Sequence, residues 1–448
     1  MPADIHWNRQ LIKRYGYAAS TCSDYPAVNQ FQQGFAALDL LRALRGGHRP
    51  LQLAVSLPVL SSADSDKYFD CLTREVDLLG CHVASDQPIQ RLHLGSGAAN
   101  AKQLQHLITH VRQRFNIQVS ESGADSAEVD PAQADWARMG LLRELGFNHI
   151  SIGVADANPP TTGVVVDFRD PRKTRWLIDA ARTLNFASVN IDIGYGRAWQ
   201  SQASFRNKLS AIIELQPNRV LLFDYAYPPQ RYRAIQRLGI GGFAAAADKH
   251  TMYQHAVEQL DAVGYCSIGL GQFALKDDPL ISARESGKLR WNWLGYSDKP
   301  SADLLGIGVG AVSHIGALQL QNRRDVASYQ AQLMSSQLAV FHGHHCSVQE
   351  QLQSILSEAL LCDLHVDLQA LESHFGVIFR DFFAACRPAL ERMAADGLLQ
   401  LSPHALSILP AGRLLVAAVC KVLEQGRTEP ATSRQRFGHL TALGGVVK

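Results

Sequence analysis

The chain has 448 residues, and its 43 Lys and Arg against 41 Asp and Glu residues give a formal net charge of +2. Hydrophobic residues make up 46% and charged residues 19%, which is typical of a soluble globular protein with a large core. The near balance of charge excludes the strong general attraction to nucleic acid or anionic membranes that a basic protein has. No apolar stretch approaches the roughly 18 residues of a membrane span, and residues 1–17 lack the apolar segment of a secretory signal, so we expect a cytoplasmic protein.

Residues 1–50 are predicted to form an extended arm that packs on the remainder of the chain. From Leu51 onward, apolar runs of strand length alternate with segments of helical period. The predicted strands are Leu51–Leu57, Ile89–Leu94, Ile117–Ser120, His149–Val154, Ser188–Ile193 and Arg219–Phe223. Six strands with right-handed helical crossovers predict an α/β fold, a partial (β/α)6 TIM-like barrel with an extension over residues 51–346. Sites in such barrels lie at the C-terminal ends of the strands.

Residues 347–425 change to a helical pattern with one short hairpin, Gly397–Leu401 and Ala405–Leu409, before a last helix near Pro410–Gln425. This order predicts a winged-helix-like C-terminal domain. Nine acidic residues against five basic ones give it a balance of −4, which is a poor match to phosphate. We therefore expect an interaction or lid domain and no nucleic-acid partner. Residues 426–448 are predicted to be a flexible tail.

The eight cysteines are widely spaced, with no two closer than ten residues along the chain. They are Cys22, Cys71, Cys81, Cys266, Cys346, Cys362, Cys386 and Cys420. A cluster or zinc site held by one loop needs several thiolates within one short turn. The sequence contains no such turn, and scattered thiols without a secretory signal are typical of a reducing compartment.

Two glycine-rich segments are candidate ligand loops. Gly95 and Gly97 follow the second predicted strand, where backbone N–H groups could approach an anionic ligand or simply form a tight turn. Gly308 and Gly310 permit close backbone approach either to a ligand or to another strand, and packing is the favoured interpretation. Asp192 ends the run Val189–Asp192, where a carboxylate binds a ligand hydroxyl or caps the next helix.

The segment His342–Cys346 is the densest group of soft ligands in the chain. His342, His344, His345 and Cys346 could bind haem or a metal ion, since imidazole and thiolate are ligands for zinc, copper and haem iron. A polar surface loop is the favoured interpretation of the same residues. No motif assembles a nucleophile and a base, so no catalytic residue is predicted.

These residues resemble a known family over about residues 5–425. The matching stretches are Tyr15–Phe31, Gln90–Gly97, Glu128–Pro131, Gly146–Asp156, Asn190–Gly196, Glu214–Pro229, Gly264–Asp278 and Gly295–Gln321. On these stretches the chain resembles oxygen-independent coproporphyrinogen III oxidase, a radical S-adenosylmethionine enzyme of haem biosynthesis. The most specific segments are Asp303–Gly310 and Leu222–Ala226. The resemblance implies a partial β/α barrel, an N-terminal arm and a helical C-terminal domain.

The family's chemistry, as the resemblance implies it, needs a [4Fe–4S] cluster held by a Cys-x-x-x-Cys-x-x-Cys loop after the first strand. The cluster cleaves S-adenosylmethionine, and the resulting radical abstracts hydrogen from a propionate side chain. In this sequence Leu60 stands where the first cysteine is expected, and Ser61–Tyr68 lead directly into the next helix. The loop is shortened away, and Cys71 comes too late to replace it. We expect no iron–sulfur cluster.

The resemblance also implies losses at the S-adenosylmethionine site. Ala54, Ala155, Asp167 and Leu294 replace family residues that contact a cofactor. Among the family's cofactor-binding positions, Glu128, Asp192 and Ala226 are retained, and Gly95, Gly97, Gly308 and Gly310 complete the vestigial site. Each hydrogen bond lost from a buried polar ligand costs about 1–3 kcal/mol, so we expect weak or absent S-adenosylmethionine binding.

Two hypotheses about function follow. The first is a pseudoenzyme: a coproporphyrinogen oxidase-like protein that binds a tetrapyrrole (a porphyrin or haem) or a protein partner such as an intact paralogue. The second is an active oxidoreductase of the coproporphyrinogen III dehydrogenase type with altered or partner-supplied cluster chemistry. Loss of the cysteine loop favours the first.

Overall fold

The computed structural model describes residues 8–15, 30–47, 49–58, 60, 62–97, 99–120, 123–131, 133–154, 172–198, 200–226 and 244–425. The strands are β1 Leu51–Val55, β2 Ile89–Leu94, β3 Ser126–Val129, β4 His149–Val154, β5 Ser188–Tyr195, β6 Arg219–Asp224, β7 Tyr265–Gly269, β8 Gln272–Leu275, β9 Arg290–Asn292, β10 Gly295–Ser297, β11 Asp303–Ile307, β12 Val312–Ile315, β13 Leu318–Asn322, β14 Val340–His345, β15 His365–Asp367, β16 Leu399–Leu401 and β17 Ala405–Ile408.

The α-helices are α1 Arg9–Tyr15, α2 Ala37–Gly46, α3 Ser62–Gly80, α4 Ala101–Arg114, α5 Trp136–Glu144, α6 Arg172–Thr183, α7 Gln202–Glu214, α8 Ala246–Ala262, α9 Pro279–Glu285, α10 Val326–Met334, α11 Val348–Cys362, α12 Leu368–Phe375, α13 Phe379–Phe382, α14 Arg387–Ala395 and α15 Val416–Gln425. A 3₁₀ helix, Pro410–Leu415, precedes α15. None of the helices in the described ranges is long and apolar enough to cross a membrane.

One large sheet organises the molecule. Its order is β14-β13-β12-β11-β1-β2-β3-β4-β5-β6-β8-β7. The strands from β11 through β1 to β6 are parallel neighbours. Helices α3 to α7 each connect one strand of β1 to β6 to the next. The predicted α/β fold and partial (β/α)6 barrel are therefore confirmed.

The predicted third strand, Ile117–Ser120, is wrong. Ile117 N–H donates to the carbonyl of Arg112 at 2.8 Å and so ends α4. The strand at this position in the barrel is β3, which pairs with β2 and β4. The sequence of β3 alternates polar and apolar residues and contains no continuous apolar run. The polar side chains can alternate in this way because they face the barrel interior. The predicted bounds of β2 and β4 agree with the structure.

Side chains along each barrel strand alternate between the main core and the barrel interior, and this alternation positions the candidate site. Leu51, Leu53 and Val55 of β1 join the main core, as do Ile191 and Ile193 of β5. Successive side chains of a strand point to opposite faces, so the alternate residues face the interior of the barrel. We call them the inner-face residues. Those used below are Ala54, His93, Ser126, Glu128, Ser151, Asn190, Asp192 and Gly194.

The described parts of residues 1–50 include two helices, α1 and α2, where an extended arm was predicted, and Gln32 forms an isolated β-bridge with Gly343 of β14. Helix α1 packs on the C-terminal domain, where Ile12 joins the buried cluster of that domain. Arg14 Nη1 lies 2.9 Å from Asp396 Oδ1, and the Tyr15 hydroxyl donates a hydrogen bond to the same carboxylate. Helix α2 instead packs on the main core through Leu40 and Leu44.

The C-terminal region contains the predicted hairpin, β16 and β17, and a third strand, β15, that pairs with β17. Only three residues long, β15 gives no recognisable periodicity in the sequence. The predicted last helix divides at Val416, with a 3₁₀ turn before it and an α-helix from it onward.

Candidate ligand site at the barrel mouth

The barrel mouth is the rim formed by the C-terminal ends of β1–β6 and β11, where ligands of parallel barrels bind. The residues predicted to form a vestigial cofactor site are Gly95, Gly97, Glu128, Asp192, Ala226, Gly308 and Gly310. All of them lie on the last part of one of these strands or just after it. The structure therefore brings them to one end of the barrel.

The connection from β1 to α3 is the most informative part of the mouth. It comprises only six residues, 56–61, between Val55 and Ser62. A Cys-x-x-x-Cys-x-x-Cys triplet is by itself longer than this connection. The segment contains no cysteine. Its residues therefore do not fit an iron–sulfur cluster.

No described thiol takes the place of the missing ligands. Cys71 is buried, and its Sγ lies 3.9 Å from the carbonyl oxygen of Gln330 on α10. Burial raises the pKa of the Cys71 thiol, which opposes the thiolate form that binds iron. Cys346, Cys362, Cys386 and Cys420 are also buried, Cys266 is half-buried on β7, and Cys81 is exposed after the end of α3. Cys22 lies outside the described residues.

The glycines after β2 pack against the shortened connection. Gly95 N–H donates to the carbonyl of Val55 at 2.8 Å. A Cβ added at Gly97 would lie 2.3 Å from the carbonyl oxygen of Leu57, so only glycine fits beside this backbone. Leu57 itself is 5% exposed and belongs to the main core. The β1–α3 connection therefore lies directly against the segment that follows β2.

Glu128 lies on the inner face of β3. One carboxylate oxygen accepts a hydrogen bond from the Ser96 N–H at 3.1 Å. The other lies 3.5 Å from His93 Nε2, and Nδ1 of this histidine is 2.8 Å from the Ser126 hydroxyl. The retained glutamate thus ties the turn after β2 to the barrel interior through groups of the protein itself.

Asp192 does not end its strand, which corrects the prediction: β5 continues to Tyr195. The aspartate is 1% exposed on the inner face. Ser151 Oγ donates to Asp192 Oδ2 at 2.9 Å, and Asn190 Nδ2 donates to Oδ1 at 2.5 Å. The carboxylate therefore serves a network between β4 and β5, and the helix-capping alternative does not apply.

The glycine-rich turn after β11 is held by a buried carboxylate that the sequence did not indicate. Glu75 of α3 is 1% exposed and accepts the Gly308 N–H at 2.7 Å. It also accepts from Asn322 Nδ2 at 2.7 Å and from the Tyr329 hydroxyl at 2.5 Å. Burial raises the pKa of Glu75 to about 7, although these hydrogen bonds lower it. Glu75 and its three donors are more than 230 residues apart in the sequence, which explains why no local pattern revealed this cluster.

Gly308 and Gly310 have backbone conformations that favour glycine, with φ of +107° and +67°. A Cβ at Gly308 would lie 2.5 Å from the carbonyl oxygen of Ser56. Gly310 N–H donates to the Arg323 carbonyl at 2.8 Å. The packing interpretation of these two glycines therefore agrees with the structure.

Ala226 begins the turn after β6. Its N–H donates to Asp224 Oδ1 at 2.8 Å, and the same carboxylate binds Lys249 Nζ at 2.9 and 3.0 Å. Next to it, Tyr225 lies under the guanidinium of Arg197, whose Cζ is 4.6 Å from the ring centroid. Sequence reasoning missed this pair, because Arg197 and Tyr225 are 28 positions apart and no local pattern connects them.

His342–Cys346 does not form a loop. Residues up to His345 belong to β14, the edge strand of the sheet, so that His342 and His344 point to one face and His345 to the other. His344 Nε2 lies 2.9 Å from Glu350 Oε2, and burial raises the pKa of the Cys346 thiol to about 12. No group of three or more His, Cys, Asp or Glu side chains within the described ranges could hold a metal ion. A metal site shared by these four residues is therefore wrong.

Of the four replaced cofactor positions, two can be located. Ala54 lies on the inner face of β1, paired with His93 and Gly306. Leu294 lies in the turn between β9 and β10, where its N–H donates to Asn292 Oδ1 at 2.8 Å. Ala155 and Asp167 lie outside the described residues.

Comparison with known proteins agrees with this architecture. A family model, the HemN C-terminal domain, matches residues 347–415. An oxygen-independent coproporphyrinogen III oxidase of Pseudomonas aeruginosa is 37% identical over 97% of this chain and 99% of its own, and one of Salmonella typhimurium is 30% identical over 96% and 98%. A solved structure of coproporphyrinogen III oxidase (HemN) from Escherichia coli, described as a radical SAM enzyme, superposes with a TM-score of 0.83 at 28% identity, covering 94% of this chain and 99% of that chain.

The parallel partial barrel, its mouth and its C-terminal domain define a protein of the radical S-adenosylmethionine fold class. Within that class, the chain belongs to the oxygen-independent coproporphyrinogen III oxidase family.

Proposed function

We propose that this chain is a non-catalytic member of its family that binds a tetrapyrrole in the barrel. One observation carries the proposal: the six-residue β1–α3 connection, which has neither the length nor the thiols for an iron–sulfur cluster. Such a cluster, when bound, supplies the electron that cleaves S-adenosylmethionine. A chain without it would bind its ligand in the barrel and would not cleave S-adenosylmethionine.

The state of the retained carboxylates supports weak or absent S-adenosylmethionine binding. Glu128 accepts the Ser96 N–H, and Asp192 accepts bonds from Ser151 and Asn190. A ligand hydroxyl or amine would have to compete with these internal donors. Each exchange of an internal hydrogen bond for a ligand bond adds little free energy, because only the difference between the two contributes.

The tetrapyrrole assignment rests on the family. The relatives' name specifies coproporphyrinogen III, a tetrapyrrole with propionate carboxylates, as what those proteins act on. The barrel retains its parallel strands and its polar inner face. A shorter β1–α3 connection occupies less of the mouth than a cluster-bearing loop.

Anaerobic reconstitution tests the loss of the cluster. The protein is incubated with iron, sulfide and reductant and is then desalted. Bound iron, bound sulfide and the absorbance at about 400 nm, the region of iron–sulfur charge-transfer bands, are measured. The Escherichia coli oxidase, treated in parallel, is the positive control. We expect background iron in this chain, and near-stoichiometric iron and sulfide would overturn the proposal.

Ligand binding is tested separately by anaerobic titration with coproporphyrinogen III and with haem, each with and without S-adenosylmethionine. We expect saturable tetrapyrrole binding that S-adenosylmethionine does not change, and no turnover. Absence of binding at tens of micromolar ligand would overturn the binding assignment. Turnover by a mixture of this chain and an intact family member that exceeds the turnover of the intact member alone would favour the alternative, an oxidoreductase that uses a partner's cluster.

A further inference from the structure

The end of β5 and the end of β6 meet inside the barrel mouth. Gly194 is an inner-face residue, because its neighbours Ile193 and Tyr195 point into the main core. A Cβ at Gly194 would lie 2.3 Å from Cζ of Tyr225. The ring of Tyr225 therefore covers the inner face at this point, in space that only a glycine leaves open.

The position of this ring is fixed by backbone and aromatic contacts. Tyr225 N–H donates to the Tyr195 carbonyl at 2.9 Å, which continues the pairing of the two strands. Phe223 packs edge-on against Tyr225, with centroids 5.2 Å apart and an interplanar angle of 76°. Tyr225 is 6% exposed, so its ring supports a neighbouring group and offers little free surface.

That neighbouring group is the guanidinium of Arg197. It lies over the ring with Cζ 4.6 Å from the centroid, which is a favourable cation–π geometry. Arg197 N–H donates to Gln200 Oε1 at 3.0 Å, and Gln200 Nε2 donates to the Gly194 carbonyl at 3.1 Å, so the backbone of the turn is also held. The Arg197 side chain is half-buried rather than covered.

Positive charge surrounds the same turn. Lys208 Nζ lies 3.3 Å from the Gly194 carbonyl oxygen, and Lys249 packs beside Gly196. Lys249 also forms an ion pair with Asp224, and Lys208 is 2% exposed. Arg197 is the half-buried cation of this group at the mouth, and its charge favours an anionic group there.

We propose that Arg197, held in place by Tyr225, binds a propionate carboxylate of a tetrapyrrole at the barrel mouth. A planar guanidinium presents paired N–H donors that match a carboxylate, and its faces suit stacking between an aromatic ring and a flat conjugated ligand. The inference rests on the proposed tetrapyrrole binding and deepens it. Arg197 is the ligand-binding residue, and Tyr225 is a positioning residue.

The test uses the full-length protein and two probes, coproporphyrin III and its tetramethyl ester, which has the same macrocycle without carboxylates. Affinities are measured by the shift of the Soret band and by fluorescence. Arg197→Met keeps an unbranched apolar stem over Tyr225, and Arg197→Lys keeps the charge without the planar fork. Arg380→Met, on the exposed surface of the C-terminal domain, is the matched control.

We expect Arg197→Met to weaken binding of the tetra-acid about ten- to a hundredfold, the range for a charged hydrogen bond, and to leave ester binding within about threefold. The affinity of Arg197→Lys for the tetra-acid should lie between those of the wild type and Arg197→Met, and the affinity of Arg380→Met should equal that of the wild type. Tyr225→Leu should weaken binding of the tetra-acid more than binding of the ester. Tyr225→Phe, which keeps the ring, should bind the tetra-acid as the wild type does.

The outcomes separate this inference from the function on which it rests. Wild-type binding that Arg197→Met leaves unchanged would overturn the inference and leave tetrapyrrole binding intact. Equal losses for acid and ester would show a general disturbance of the mouth and would also overturn it. Absence of binding by the wild type would overturn the tetrapyrrole assignment itself.

Discussion

Glu75 Oε2 accepts a hydrogen bond from the backbone N–H of Gly308 at 2.7 Å, joining helix α3 to the turn that follows β11 at the barrel mouth. The same carboxylate receives the Asn322 amide and the Tyr329 hydroxyl. Helix α3 also begins directly after the shortened connection, so this group stabilises one side of the mouth.

Replacement of Glu75 by alanine should destabilise the fold. It would remove the carboxylate that accepts from the Gly308 N–H and the Tyr329 hydroxyl and one of the two acceptors of the Asn322 amide, at a cost of roughly 2–4 kcal/mol in the free energy of unfolding. Urea unfolding followed by circular dichroism measures this change. Asp70→Ala, at an exposed position of the same helix, is the control and should change stability by less than about 0.5 kcal/mol. Equal effects of the two substitutions would contradict the role of the network.

Stability should also depend on pH through Glu75. Burial raises its folded pKa to about 7, above its ordinary value of 4.5, so the folded state holds the proton more tightly than the unfolded state. The resulting stability is fully present below pH 4.5 and is lost as the pH rises toward about 7, by roughly 3 kcal/mol in total.

The neighbouring Tyr68, Cys71 and Tyr329 do not interfere with this measurement. Burial is the main cause that raises the pKa of each, so none titrates in the same range. Glu75→Gln removes the titrating proton. The difference in unfolding free energy between wild type and Glu75→Gln should therefore change between about pH 4.5 and 7. A difference that is constant over this range would contradict the assignment.

Gly97→Ala should be destabilising because the new Cβ would lie 2.3 Å from the Leu57 carbonyl oxygen, which is backbone and cannot rotate away. We expect a loss of roughly 1–3 kcal/mol, as for overpacked sites. Gly140→Ala provides the control, because a Cβ there meets nothing within 4 Å and alanine favours the helix α5. It should stabilise by up to about 1 kcal/mol. A neutral Gly97→Ala would show that the β1–α3 connection moves freely.

Thiol reactivity tests whether Cys71 is available as a ligand. Cys81 is exposed, whereas Cys71 is buried and burial raises its pKa. In the native protein, Cys81→Ser should remove a fast phase of reaction with a thiol-specific disulfide reagent, and Cys71→Ser should leave that phase unchanged. Loss of a fast phase in Cys71→Ser would indicate that the helix after the connection opens readily.

Much of the fold could be predicted from local patterns. Five of the six predicted barrel strands match the structure within two residues, because runs such as His149–Val154 show strand character in themselves. Helix ends follow local preferences as well: α3 ends at Gly80, and Gly146 and Asn185, shortly after α5 and α6, have positive φ of 90° and 57°. β3 was missed because Ser126 and Glu128 face a polar interior, where burial does not require apolar residues.

The candidate site was harder to predict. Neighbours along the chain suggested a ligand cluster at His342–Cys346, but a strand points successive side chains to opposite faces. The contacts that organise the mouth join distant residues, as Glu75 and Gly308 do across 233 positions. No periodicity in a single sequence records such a pairing.

The sequence by itself determined which ligands the β1–α3 segment lacks. Thiolates are covalent properties of particular residues, and no folding can supply a cysteine to the segment between Val55 and Ser62. Only the tertiary structure decided what occupies the mouth instead: Leu57 against Gly97, Gly308 on Glu75, and Arg197 over Tyr225. Such contacts depend on the register and curvature of parallel strands, which bring residues together according to sheet order rather than chain order.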